Sequence, residues 1–424
     1  MKKKVIYWLF RAVRIEDNPA LTYAIKTAVR KDAILEINFF VWPIFSTANV
    51  RNMSFLLHGV AEMAQKSHKL NIELKVIQQA PDLYLKQEIK KQNIVSVISE
   101  QHVLKEVLAA QEKVKAICTN YDVVFDVVNT AVIVPVEEAS NKQEYAAFTI
   151  RKKLHHQLAN HLAMLPPLNP LDQSACLLFT HDDAEKIAKQ SHFTSIKESS
   201  LKAGEDAANK CLNEFIRQRL DNYHLRNEVT SNGQSYLSAY LHFGNISCKK
   251  VIQQVMDTKH ENADLFIEEA FVRRELAENF CFYNKDYDSL ASAPTWAIET
   301  LMNHINDERE YIYSLEEFEM GNTHDDVWNY CQRQVVETGY LHSYLRMYWA
   351  KMVLYWSKHP QDAIDVLIYL NDTYMLDGRD PNGYTGIMWS VAGVHDRPWF
   401  NKPITGLVRP MSKNGMLKKT KLKL

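Results

Sequence analysis

The sequence predicts a two-part chain: an amino-terminal α/β domain built on a doubly wound parallel sheet, followed by an all-helical domain. Three observations predict it. Between residues 1 and 135, short runs rich in Val and Ile alternate with helix-like stretches, the pattern of strands buried on both faces of a parallel sheet. Beyond about residue 204 strand signals almost vanish and helical periodicity takes over. Between the two, Pro166, Pro167 and Pro170 interrupt any pattern. The expected division is therefore 1–164, a linker at 165–204, and a helical domain at 205–424.

Strands are expected at 5–10, 34–42, 72–77, 94–98 and 123–128. Helices fall between them at 18–29, 54–68, 83–91 and 103–117, the first capped by Asp17 or Asn18. This makes the first domain Rossmann-like. Yet Gly59 is its only glycine before residue 135, and neither GxGxxG nor GxxxxGK[ST] occurs anywhere. The sheet therefore lacks a glycine-rich phosphate turn. An adenylyl-transfer enzyme, the reading that the sheet alone would favour, needs such a turn. The stretch FRAVRIEDNPAL after the first strand sits where ligand loops sit in such folds.

A helix is expected at 144–163. Its His155, His156 and His161 have no acidic partner at matched spacing, so they read as surface residues and no metal is expected. Further helices are expected at 211–224, 246–256, 264–282, 298–306, 325–337, 342–357 and 361–370. The second half is organised around 339–389. Between Leu341 and Trp356 only Arg346 and Lys351 carry full charge, so this helix should be buried. A buried arginine needs a carboxylate, and the loop LDGRDPNGY offers Asp377 and Asp380. Trp349 and Trp356 share a helix face, and spacing alone makes them core.

Net charge is −1, so no global field points to nucleic acid. The distribution says more: from Arg397 onward there are eight Lys/Arg and no acid. The six cysteines form no CxxC, which fits free thiols in a reducing compartment. The start MKKKVIYWLFR is too short in apolar residues for a signal peptide or a membrane span. A soluble monomer of the cytoplasm, nucleoid or nucleus is expected.

Six segments together resemble one family. They are RIEDNPAL, YLSAYLHFGNIS (236–247), EEAFVRRELAENFCFYN (268–284), THDDVWNYCQRQ (323–334), GYLHSYLRMYWAK (339–351) and IYLNDTYMLDGRDPNGYTGIMWS (368–390). In this order they resemble the class II cyclobutane pyrimidine dimer photolyases of the photolyase/cryptochrome family. The resemblance implies an FAD-binding helical domain whose reduced anionic flavin is the active form. It also implies an α/β domain able to take an antenna chromophore, and a DNA partner containing pyrimidine dimers. The activity implied is a light-driven carbon–carbon lyase that flips the dimer out of the duplex. A photoreceptor of the same fold without repair is the alternative.

The roles follow from the matching segments. Tyr223, Ser235, Leu237 and Ser238 resemble contacts to the FAD phosphates and ribityl chain. Arg346 resembles the arginine beside the flavin ring, where a cation favours an anionic ring. Asp377, with Asp380, resembles the acid near the isoalloxazine, and Asn371 the asparagine at flavin N5. Trp349, Trp328 and Trp356 look like the inner, middle and outer tryptophans of the photoreduction chain. Glu269 resembles the glutamate that hydrogen-bonds the dimer; a carboxyl in an apolar pocket could donate there. Met347 and Trp389 resemble the walls of the dimer pocket. Arg397, Trp399 and Arg409 resemble the residues that enter or brace the DNA bubble. The chain departs from the family at Arg11-Ala12-Val13-Arg14, at Pro19 and at Tyr340-Leu341-His342-Ser343.

Overall fold

Strands form where the Val- and Ile-rich runs place them. The computed structural model describes residues 2–423 except 92, 177, 191 and 192. In it β1 (Lys3–Leu9), β2 (Ala33–Phe40), β3 (Glu73–Ile77), β4 (Ile94–Glu100) and β5 (Val124–Val128) make one sheet. Every pair is parallel, in the order β3-β2-β1-β4-β5. Side chains alternate across the central strand. Val5, Tyr7 and Leu9 of β1 enter one apolar cluster, while Ile6 and Trp8 enter another. Burial on both faces explains why the strands read as continuous apolar runs.

Strand order reverses between β1 and β4, the crevice where such sheets hold ligands. Here the crevice is filled by the chain itself. The buried carboxylate of Glu100 accepts from the Tyr7 hydroxyl at 2.6 Å and from the amides of Phe10 and Arg11 at 3.0 Å each. The Thr130 hydroxyl donates to it as well, at 3.0 Å. The first amides after β1, free for phosphate in a glycine-rich turn, are thus already bound. A close approach seals the same loop. A Cβ on Gly244, at φ +66°, would lie 1.8 Å from the Arg11 carbonyl oxygen, so only glycine fits. Glu100→Ala strands several buried donors, and a loss of about 3 kcal/mol or more is expected. The midpoint of denaturant unfolding checks it.

The described chain divides into two compact units. The first comprises Met1–Pro135, Ala159–Asn213 and Tyr236–Gln254; the second comprises Val136–Leu158, Glu214–Ser235 and Val255–Leu424. Residues 165–204 differ from the expected linker. They hold the helix His181–Ala188, fixed by a Thr180–Asp183 capping box. Its Ala184, Ile187 and Ala188 join the core of the first unit. Eight residues are too few for periodicity to register.

The second unit is helical. Its main members are Arg274–Tyr283, Asp326–Thr338, Ser343–Trp356, Pro360–Tyr374 and Pro381–Ala392. The expected helix at 264–282 is real but interrupted by a π-helical turn at Glu268–Arg273. Pro360 begins a helix rather than only ending one, because its missing N–H costs nothing in the first turn. The helix Pro381–Ala392 goes unforeseen; Asp380 caps it and Pro381 opens it inside what reads as a loop.

Candidate functional site

Gly339, at φ 72°, ends the helix Asp326–Thr338 in the left-handed cap and turns the chain into Ser343–Trp356. The turn lays two aromatic faces together. The rings of Trp349 and Trp328 stack at 6.4 Å, tilted by 8°. Trp328 meets Trp356 at 6.0 Å, nearly edge-on. Trp328 therefore lies between the other two rings, and all three are buried. Each inner indole is pinned. Trp349 donates from Nε1 to Gln332 Oε1 at 2.9 Å, and Trp328 donates to the Trp349 carbonyl at 2.9 Å. Beyond Trp356 stand His324 at 5.0 Å and Tyr313 at 5.8 Å.

Arg346 finds the carboxylate that sequence reasoning requires. Its Nη2 donates to both oxygens of Asp377, at 2.8 and 3.1 Å. Arg346 is nonetheless partly open, at 28 % of its side chain. The buried charge of this helix is Lys351, 1 % exposed. Asp380 serves the backbone: it caps the helix Pro381–Ala392 by accepting from Asn382 N at 2.9 Å.

The centre of the loop is Asp372, a residue that sequence reasoning missed. It is buried, and it accepts from Asn371 Nδ2 (2.8 Å), the Arg379 amide (2.8 Å) and the Tyr384 hydroxyl (2.8 Å). Its one sequence signal is position: an acid beside Asn371, at the end of a helix whose inner face is apolar. Asn371 is buried with it. The loop closes tightly over this pair, and a Cβ on Gly378 would sit 2.6 Å from the Asn371 carbonyl oxygen. Arg379, at φ 59°, is buried beside them. Burial pulls its pKa down, opposed by the nearby Asp372.

Two polar atoms here are left over. Arg379 Nη2 and His342 Nδ1 are buried, with no hydrogen-bond partner among the described residues. Buried donors without acceptors are costly. Arg379 Nη2, near the half-open Arg346–Asp377 pair, fits a ligand rich in carbonyl and phosphate oxygens, as FAD is. Tyr223 is buried against Phe215 and Phe266, under the Arg226 guanidinium. Ser235 lies in the same unit, its carbonyl 3.5 Å from Arg219 Nη2. Leu237 and Ser238 belong to the first unit, Leu237 buried and Ser238 exposed.

Glu269 differs from the apolar setting expected of it. It rides the π-helical turn, 39 % exposed, with Arg226 at 3.5 Å and Arg273 at 3.4 Å. π-turns of this kind redirect side chains at functional sites. Met347 is half-buried on Ser343–Trp356, as is Trp389 on Pro381–Ala392. Arg409 lies over Trp399 (4.2 Å) and Trp389 (5.4 Å). It is bound bidentately by Asp396 at 2.7 and 2.8 Å. Arg397 is exposed. Trp399 opens a hairpin loop through Trp399 N to Leu407 O at 2.8 Å. Next to Trp399, Phe400 stands 70 % exposed.

Comparison with known proteins agrees with this architecture. The family model DNA photolyase matches residues 5–172. A deoxyribodipyrimidine photo-lyase of Potorous tridactylus is 38% identical over 98% of this chain and 79% of its own. One from Methanothermobacter thermautotrophicus is 35% identical over 99% of this chain and 92% of its own. The crystal structure of an archaeal photolyase from Sulfolobus tokodaii with two FAD molecules superposes with a TM-score of 0.74. That match covers 98% of this chain and 87% of the other, at 16% identity, and speaks to fold. A parallel sheet without a glycine turn, an ordered tryptophan stack beside an Arg–Asp pair and full-length identity converge: the chain belongs to the DNA photolyase family.

Proposed function

We infer that this protein is a light-dependent DNA repair lyase: a monomer that binds duplex DNA, draws a cyclobutane pyrimidine dimer out of the stack and splits it. The observation that carries the reading is that the likeness to deoxyribodipyrimidine photo-lyases runs along nearly the whole chain. Reduced FAD, when bound, would supply light-driven one-electron chemistry that opens the dimer with no net change of oxidation state. The residues have separable tasks. Arg346, paired with Asp377, would offer a bound flavin a cation that favours its negative form. Asn371, oriented by Asp372, presents an amide that both donates and accepts. Trp349, Trp328 and Trp356 pass electrons inward to restore the reduced state.

On the DNA side, Met347 and Trp389 give apolar walls for a flipped pair of rings, and flipping is cheaper at damage. Glu269, flanked by Arg226 and Arg273, hydrogen-bonds the bases. Arg397 contacts phosphate. Arg397→Gln is expected to lower the slope of log K against log[salt] by about 0.9, the share of one released counterion. Titration of a dimer-containing duplex at several salt concentrations measures it. The whole reading is tested by illuminating the reduced protein with a dimer-containing oligonucleotide and counting restored pyrimidines, with a dark control. Light-dependent repair is expected. Flavin binding without any conversion would leave a photoreceptor of the same fold.

A further inference from the structure

The end of the helix Thr295–Asn303 and the turn after it grip the loop 399–407 through Thr300, His304 and Asp307. Thr300 Oγ1 accepts from the Leu407 amide at 3.0 Å. Asp307 Oδ2 accepts from the Ile404 amide at 2.7 Å. His304 links the other two anchors: its Nδ1 lies 2.6 Å from Asp307 Oδ2, and its Nε2 lies 2.9 Å from Asn401 Oδ1. The loop needs holding. Ile404 sits at φ 68°, a left-handed backbone that a β-branched residue keeps only under constraint. Trp399, at the start of the loop, is tied across its base to Leu407.

Both ring nitrogens of His304 face oxygens that accept, so both must donate, and only the imidazolium does that. A neutral ring keeps one N–H. With that hydrogen on Nδ1 for Asp307, Nε2 turns a lone pair on the Asn401 oxygen. The amide then rotates or lets go, and a charge-assisted bond becomes a weaker neutral one. We propose that His304 is the positioning residue of the DNA-facing loop: its imidazolium, set by Asp307, ties Asn401 and Ile404 to the turn 304–307 and so holds Trp399 ready for DNA.

This role rests on the DNA reading above. Asp307 is held below the usual carboxylate range, by the Ile404 amide first and then by His304, with the Arg309 charge adding to both. Lys402 is the one charged residue of the loop, and Glu299 that of Thr295–Asn303. On Pro381–Ala392, which packs against that helix, the titratable side chain is Tyr384, committed to Asp372. Among such groups only a histidine changes charge near neutral pH. Loss of the His304 proton frees the loop to sample other postures, and DNA must then select the held one. Protonation therefore favours binding, and affinity falls as pH rises through the His304 titration, by roughly threefold to tenfold in all.

The test uses the full-length flavoprotein in the dark and a fluorescent duplex with one thymine dimer. Anisotropy titrations from about pH 5 to about pH 8 read affinity across the histidine range. Imidazole nitrogen NMR shifts of the histidine-labelled protein read the ring's own titration, the signal missing in His304→Gln being that of His304. The wild-type affinity is expected to fall with the same midpoint as that signal. His304→Gln cannot titrate, and Asn401→Ala removes the acceptor at Nε2, so each should lose this component; the second serves if the first does not fold. A wild type whose affinity ignores the His304 midpoint, or either variant that keeps the component, overturns the role and leaves His304 a prop that works equally at every pH. No binding of the dimer duplex at any pH overturns the DNA reading and the role with it.

Discussion

Trp349→Phe is expected to abolish light-driven reduction of oxidised flavin while leaving repair by chemically reduced protein largely intact. Indole is the protein ring most readily oxidised, and a phenyl ring in its place is far harder to oxidise. The stack has no bypass among its members, because Trp328 touches both others and stands between them. The fold should tolerate the change. Phe keeps most of the buried apolar contact, and the lost Nε1 bond to Gln332 is one neutral hydrogen bond of about 1 kcal/mol. Absorbance of the flavin during illumination with an external reductant follows the first process, and oligonucleotide repair after dithionite reduction follows the second. Parallel loss of both would remove Trp349 from an electron path and make it part of the site's walls.

Asp372→Ala is expected to do the most damage to the flavin loop, lowering stability by about 3–5 kcal/mol and emptying the protein of flavin. The substitution leaves the Arg379 charge buried without its nearest anion and releases the Tyr384 hydroxyl, the Asn371 amide and the Arg379 N–H together. Asp380→Ala is the control in the same loop. Asp380 caps one helix, so a loss of about 1 kcal/mol is expected there. Unfolding midpoints and the flavin-to-protein absorbance ratio separate the two. Equal effects would deny Asp372 its central place.

Much of this was legible in the letters, for physical reasons that differ by unit. The strands were readable because a parallel sheet covered on both faces demands unbroken apolar runs, and Val5 to Leu9 supply one. The Arg346–Asp377 pair was readable because a cation on an apolar helix needs a carboxylate nearby. Asp372 was not. Its partners come from seven and twelve residues downstream, across a turn whose Gly378 gives no hint of what it closes over. Lys351 was visible as one of two charges on a helix expected to be buried, but its own burial was not. A lysine at that spacing is normally expected to snorkel to water, and only packing shows that this one does not. Glu269 marks a limit of family likeness: the letter matches, yet its neighbours here are two arginines.

The two inner indoles give up their N–H groups to amide oxygens, one from a side chain and one from the main chain. Such oxygens are feeble bases. A ring that loses an electron there retains its hydrogen, and the positive hole stays intact and mobile instead of being trapped as a neutral radical. In the repair reading, the same two contacts that hold the rings in place would also keep protons from leaking out of them.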